Sequence, residues 1–222
     1  MTMCSGLLDL LFPPKCPFCG RMLEEGQDLL CPDCQRDLPW TQGKQGEQTM
    51  EFVDLCAAPL WYSDKVRDSH HRYKFSGVQS YAGPYAALMA QCVEDHLWGR
   101  FDVVTWVPLS RWRLWRRGYD QSRLLAERLA DKVGVPCESL LKKTRHTKAQ
   151  SGLTEESRRR ANVLGAYKPA PGAAVAGRRV LLVDDVATTG ATASECARVL
   201  RTAGAAGVVC VTLAMAGKEQ KG

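Results

Sequence analysis

Short continuous apolar runs alternate with amphipathic stretches along most of the chain. FVDLCAAPLWY (52–62), FDVVTWVP (101–108), RRVLLVDD (178–185) and GVVCVTLAMA (207–216) have strand length and little internal alternation. Between them lie three stretches with helical spacing. GPYAALMAQCVEDHL (83–97) is one. DQSRLLAERLADKVG (120–134) is the second, with Leu124, Leu125, Leu129 and Val133 on one face and Gly134 as a stop. ATASECARVLRTAG (191–204) is the third, closed by Gly204. Strands that are apolar throughout and alternate with helices predict an α/β fold, a parallel sheet covered on both faces. Two stretches fall outside this rhythm. TQGKQGEQTM (41–50) is polar and glycine-containing and reads as a linker. Residues 142–165 are charged and rich in small polar residues, and loops of that length are functional or disordered. The expected division is a small unit over 1–45 and a larger domain over 51–222.

The chain has 222 residues, 45% of them hydrophobic, enough for one full-sized domain with a small appendage. No apolar run approaches the roughly 20 residues of a membrane helix, so no membrane insertion is expected. MTMCSGLLDLLFPP (1–14) has an apolar patch broken by Asp9 and lacks a basic leader and a small-residue cleavage site, which points to the cytoplasm. Formal net charge is +6, yet residues 111–160 alone hold 14 Lys/Arg against 6 Asp/Glu. That window suits a phosphate-rich ligand or nucleic acid, and equally a solvated face.

Ten cysteines do not form a disulfide pattern. Cys4, Cys56, Cys92, Cys137, Cys196 and Cys210 are scattered, mostly in apolar settings that suit reduced thiols. The other four make two tight pairs, Cys16-Pro17-Phe18-Cys19 and Cys31-Pro32-Asp33-Cys34. Each pair presents two thiolates to one point, and together they make a tetrahedral sulfur set that favours structural Zn²⁺. So short a segment needs the metal to fold. A redox dithiol is the competing reading, but neither pair follows a strand and opens a helix.

The stretch VLLVDDVATTGAT (180–192) sets two carboxylates, Asp184 and Asp185, at the end of an apolar strand. Ligands of open parallel sheets sit beyond that end. Ala187, Thr188, Thr189, Gly190, Ala191 and Thr192 then turn into a helix. Small residues let backbone amides converge on an anion, and the helix start adds a favourable field. An anion explains the loop and repels the acids, so the acids need a diol or a divalent cation. A ribose 5-phosphate meets both demands.

VLLVDDVATTGAT resembles the phosphoribosyl-pyrophosphate motif of type I phosphoribosyltransferases. With VPLSRWRLWRRGYDQSRLLA (107–126), RHTKAQSGLTEESRRRANV (145–163) and the front cysteine pairs, the chain resembles the ComF family, which is tied to DNA uptake in natural competence. That resemblance implies a type I phosphoribosyltransferase-like sheet with a flexible hood, behind a Cys4 zinc-binding unit. It implies that Asp184 and Asp185 face the ribose hydroxyls and that residues 187–192 wrap the 5′-phosphate. It assigns pyrophosphate to Leu109, Ser110 and Arg111, with Arg116 and Arg117 close by, and to the hood cations Arg145 and Lys148. Lys74, in HHRYKFSG, is a further matching position, read equally well as a lysine on a surface turn, where His70 and His71 are also expected. The family usually has Asn where this chain has Asp120, which caps a helix equally well.

Two function classes stay open. One is a Mg²⁺-dependent phosphoribosyltransferase with an unidentified acceptor. The other is an accessory protein that binds a phosphoribosyl ligand and single-stranded DNA, working with the helicase and uptake machinery of competence. In RWRLWRR (111–117) aromatics interleave with cations, which suits stacking on bases between phosphate contacts. Packing of Trp112 and Trp115 onto the domain is the alternative.

Overall fold

The protein is described from a computed structural model covering residues 14–24, 26–27, 29–144 and 163–217. The predicted apolar runs form one sheet. Strands β1 (Glu47–Met50), β2 (Val53–Ala57), β3 (Leu60–Trp61), β4 (Val103–Trp106), β7 (Arg179–Ala187) and β8 (Gly207–Met215) make up its six strands. They are ordered β1-β2-β8-β7-β4, with β3 also pairing β8. All pairings are parallel except β1 with β2. The central pair runs in register from Arg179 against Gly207 to Ala187 against Met215.

Alternation along β7 explains why it reads as continuously apolar. Leu181 and Val183 enter one core with Tyr85, Met89, Leu125 and Leu129, carried by α3 (Ala82–His96) and α5 (Gln121–Val133). Val180 and Leu182 enter the other, with Cys196, Val199 and Leu200 of α6 (Ala191–Thr202). Both faces are therefore dry, as a parallel sheet requires. A separate antiparallel pair, β5 (Leu141–Lys143) with β6 (Tyr167–Pro169), packs on the α6 side. Cys56, Cys92, Cys196 and Cys210 are buried free thiols, and Cys137 is half-buried.

Five expectations change. Residues 41–50 are not a plain linker: a 3₁₀ turn over Gly43–Gly46 leads into β1, which pairs antiparallel with β2. The run 52–62 divides into β2 and β3 where Pro59 interrupts the ladder. Lys142 and Lys143 belong to β5, while 145–162 lie outside the described residues. HHRYKFSG is not a surface turn. Its first six residues end helix α2 (Asp64–Phe75), and His70 is buried. RWRLWRR is helix α4 (Arg111–Arg117), in which Trp112 is half-exposed and Trp115 is 82% exposed, so Trp115 does not pack onto the domain as one reading held.

At the front, Pro32–Asp37 forms the short helix α1. The Sγ atoms of Cys16, Cys19, Cys31 and Cys34 lie within 4.8 Å of one another, and those of Cys19 and Cys31 are 3.5 Å apart. Tetrahedral zinc with Zn–S near 2.3 Å needs sulfurs about 3.8 Å apart, so the four thiols fit structural Zn²⁺. The knuckle is continuous with the domain core: buried Phe18 meets Tyr85 with ring centroids 5.7 Å apart. Among the described residues no helix is long and apolar enough to cross a membrane.

The metal is expected at about one zinc per chain in purified protein. Cys31→Ser, which leaves three thiolates, should lose most of it, as metal analysis by mass spectrometry would record. Full zinc in that variant contradicts the four-sulfur site.

Candidate active site

The paired acids sit near the carboxyl end of β7, just past its last pairing with β4 at Val183 and two residues before the strand ends at Ala187, and each has its own surroundings. Asp185 is 7% exposed. Its Oδ2 lies 2.8 Å from Lys74 Nζ and 3.3 Å from His70 Nε2. Both partners come from α2, four residues apart, hence on one helix face. Asp184 Oδ1 accepts from Ser122 Oγ at 3.1 Å and from the Asp185 amide at 2.9 Å. The two carboxyl groups are pulled in opposite directions. Burial and then the neighbouring Asp185 charge push Asp184 up to about 7, against the pull of Lys74. Burial also disfavours the Asp185 charge, but Lys74 and His70 together overcome it and hold that carboxyl well below the usual range.

Residues 187–192 form the expected turn. Gly190 has φ of 71°, and α6 starts at the next residue. A Cβ at Gly190 would meet only the flexible Met50 side chain, 2.9 Å from Sδ, so it is the left-handed backbone that calls for glycine. Thr189 Oγ1 accepts from the Ala191 amide at 3.5 Å. Asp184, Ala187, Thr188, Thr189, Gly190 and Thr192 are among the residues around a hollow of about 30 Å³. That volume is about the share of one water, so a phosphate would enter only if the loop opened.

The loop after β4 is arranged differently from expectation. The Leu109 amide donates to Asp120 Oδ2 at 3.0 Å, and Asp120 Oδ1 accepts from the Arg123 amide at 3.2 Å. Asp120 therefore caps α5, as predicted, and also pins the loop. Ser110 caps α4 by accepting from the Arg113 amide at 3.4 Å. The cleft beside the acids, about 270 Å³, is lined by Leu109 but by neither Ser110 nor Arg111. Arg113 and Arg117, one and two turns along α4, take that place. Lys74 lines the cleft as well. Arg145 and Lys148 lie outside the described residues.

Several cleft residues escaped the sequence reading. His70 looked like a surface residue because α2 has no strong apolar period, though the His70–Lys74 spacing was a usable signal. Lys143 and Tyr167 stand at the base of the 145–162 segment. Lys143 Nζ donates to Tyr167 Oη at 3.0 Å and lies 4.8 Å from its ring centroid. Burial holds the Lys143 ammonium below its ordinary range. Adjoining the cleft is a second hollow of about 510 Å³, lined by Lys74, Arg113, Arg116, Arg117, Phe75, Gly77 and Trp112, with no acid among them. Arg116 lies 5.4 Å from the Trp112 ring and Arg117 4.9 Å from that of Phe75.

Residues 7–47 match the double zinc ribbon domain, and residues 120–222 match the phosphoribosyl transferase domain. Competence protein F of Haemophilus influenzae is 30% identical over 212 residues, covering 86% of this chain and 92% of that protein. The chain belongs to the ComF family. DNA utilization protein YhgH of Escherichia coli K12 is 38% identical, over 89% of this chain and 84% of its own. Competence protein ComFC of Streptococcus pneumoniae is 27% identical, over 95% and 84%. Among solved structures, glutamine phosphoribosylpyrophosphate amidotransferase from B. subtilis, complexed with ADP and GMP, matches at 28% identity and a TM-score of 0.43. That match spans 61% of this chain and 26% of the amidotransferase. In this ComF-family chain the type I phosphoribosyltransferase-like sheet carries Asp184 and Asp185 inside the matched domain, and the four cysteines lie inside the matched zinc ribbon.

The acids should titrate apart. Carbon-detected NMR of the ligand-free protein should show Asp184 ionising near pH 7 while Asp185 stays ionised below pH 4. An acid held above its unfolded value weakens the fold as pH rises from about 4 towards 7, because the unfolded chain releases that proton first. Asp185 does the reverse: its contribution is complete above about pH 4 and is lost as pH falls. Asp185→Asn removes the repelling charge and frees Lys74, so the Asp184 midpoint should drop. An unmoved midpoint contradicts the coupling.

Proposed function

We infer that the protein binds phosphoribosyl pyrophosphate in the cleft between the ends of β4 and β7 and transfers its phosphoribosyl group to an acceptor. The observation that carries this is the placement of Asp184 and Asp185 beside the 187–192 turn, at the carboxyl end of a parallel sheet. In this reading the two carboxylates accept from the ribose 2′- and 3′-hydroxyls. The amides and threonine hydroxyls of 187–192 hold the 5′-phosphate. Lys74, Arg113 and Arg117 lie on the side where pyrophosphate leaves, and Arg forks suit its oxygens. Arg145 and Lys148 complete that set from the hood.

Transfer forms a bond from the acceptor lone pair to C1′ while the C1′ bond to pyrophosphate breaks, the electron pair leaving with pyrophosphate. Positive charge develops on the sugar, and the fixed carboxylates beside it favour that state. Exclusion of water is needed so that the acceptor, rather than water, reacts. The carboxylates are hard oxygen donors of the kind Mg²⁺ takes alongside substrate phosphates, and the ion would neutralise pyrophosphate charge. Of the two, Asp184 is the one that would face it, since Asp185 Oδ2 is held by Lys74 and His70. The reading places the reaction in the cytoplasm, in the context of DNA uptake that the names of the relatives suggest.

A second reading has its own support. Helix α4 exposes Trp112 and Trp115 beside Arg113, Arg116 and Arg117, next to the acid-free hollow. Flat rings interleaved with guanidinium groups suit single-stranded DNA. Here the phosphoribosyl site serves recognition and the protein is an accessory of transformation.

The readings separate on turnover. Pyrophosphate release from phosphoribosyl pyrophosphate, followed across a panel of nucleobases and amines, should fall by more than about a hundredfold in Asp184→Asn plus Asp185→Asn, given 1.5–3 kcal/mol per charged hydrogen bond. Tight binding with no turnover on any acceptor favours the accessory reading.

For DNA, single-strand affinity should fall steeply with salt. Replacing Arg113, Arg116 and Arg117 by Ala should weaken it and flatten the logarithmic salt slope by about 2. Unchanged binding in that triple variant removes α4 as the site.

A further inference from the structure

Helix α2 touches both the cysteine knuckle and the acids. At about 100° per residue, it presents three stripes. Ser69 and Arg72 lie on one. His70 and Lys74 lie on another, about 150° round the helix. Tyr73 lies between them, buried, with its hydroxyl donating to the Gln121 carbonyl at 3.0 Å.

The first stripe grips the knuckle by its backbone. Arg72 Nη2 donates to the carbonyls of Pro17 at 3.0 Å and Phe18 at 2.9 Å. Ser69 Oγ, wholly buried, donates to the Pro17 carbonyl and contacts Tyr85 Oη. Pro17 and Phe18 are the two residues between Cys16 and Cys19, so the directions of their carbonyls are set when both thiolates hold one ion. The opposite stripe carries Lys74 and His70 to Asp185.

We propose that Ser69 and Arg72 are positioning residues that tie the zinc knuckle to the phosphoribosyl cleft, so that the zinc-bound state of the cysteines sets where α2 holds Lys74 and His70 against Asp185. Tyr73 and the Tyr119 hydroxyl, which donates to the Tyr73 carbonyl, anchor α2 to the sheet domain. The knuckle fixes the remaining face. Loss of the ion releases the Pro17 and Phe18 carbonyls, leaves the buried Ser69 hydroxyl without one acceptor, and lets α2 turn. Because equilibrium coupling is reciprocal, a ligand that needs Lys74 in place also tightens zinc. The cleft arm of this proposal rests on the phosphoribosyl pyrophosphate reading, and the helix arm does not.

The test uses the full zinc-loaded chain, with amide hydrogen exchange, zinc analysis and calorimetric titration of phosphoribosyl pyrophosphate. Chelator-treated wild type and Arg72→Ala should each exchange α2 amides about tenfold faster, while α5 and α6 amides keep their protection. Both should bind phosphoribosyl pyrophosphate about tenfold more weakly, and Arg72→Lys, which restores one donor, should recover part of both effects. In Ser69→Ala, a milder change, the same shifts should appear with smaller size. Unaltered α2 exchange in zinc-free wild type and in Arg72→Ala overturns the proposal. Faster α2 exchange with unaltered ligand affinity overturns it too. If wild type binds no phosphoribosyl pyrophosphate, the functional reading fails while the exchange measurements still decide the link.

Discussion

Asp184 and Asp185 are adjacent carboxylates at the end of a strand that is dry on both faces. Side by side, their charges repel, and burial raises the penalty on each. The molecule resolves this by giving them different partners. Asp185 receives a lysine and a histidine from α2 and stays ionised. Asp184 receives a serine hydroxyl from the start of α5 and its neighbour's amide, and its carboxyl is held up towards neutral pH. Strand geometry makes the division possible, since successive side chains leave opposite faces.

Much of the surrounding architecture follows from holding those partners. Ser122 is in reach because Asp120 starts α5 there, and the same carboxylate fixes the loop after β4 through the Leu109 amide. Lys74 and His70 are in reach because α2 is tied at the core by Tyr73 and at the front by backbone carbonyls of the cysteine knuckle. Metal unit and cleft are thus neighbours through one helix. Further cations beside the acids come from α4, of which Arg113 and Arg117 line the cleft and the first residue, Arg111, does not.

What was legible in the chain followed from local rules. Continuous apolar runs in β4, β7 and β8 announce strands buried on both faces. Helical period with a cap at Asp120 and a stop at Gly134 announces α5 within a residue of its bounds. Two closely spaced cysteine pairs announce a metal, and the paired acids and the small-residue turn that follows them line one cleft. Elements without a strong period were missed. Helix α2 has few apolar positions, because one stripe is polar to grip carbonyls and another is charged to meet Asp185. Strand β1 is a polar edge whose Met50 closes over Gly190. Such segments are shaped by what they touch rather than by their own pattern.

The sequence by itself determined the strand and helix succession, the cysteine set and the motif that holds the acids, because each depends on residues close in the chain. Only the tertiary structure decided which cations reach the acids. Lys74 and Asp185 are far apart in sequence, and their meeting depends on how α2 packs between knuckle and sheet. It also decided that Arg113 and Arg117, rather than Arg111, enter the cleft, since a helix turns its side chains through about 100° per residue and only packing fixes which turn faces inward.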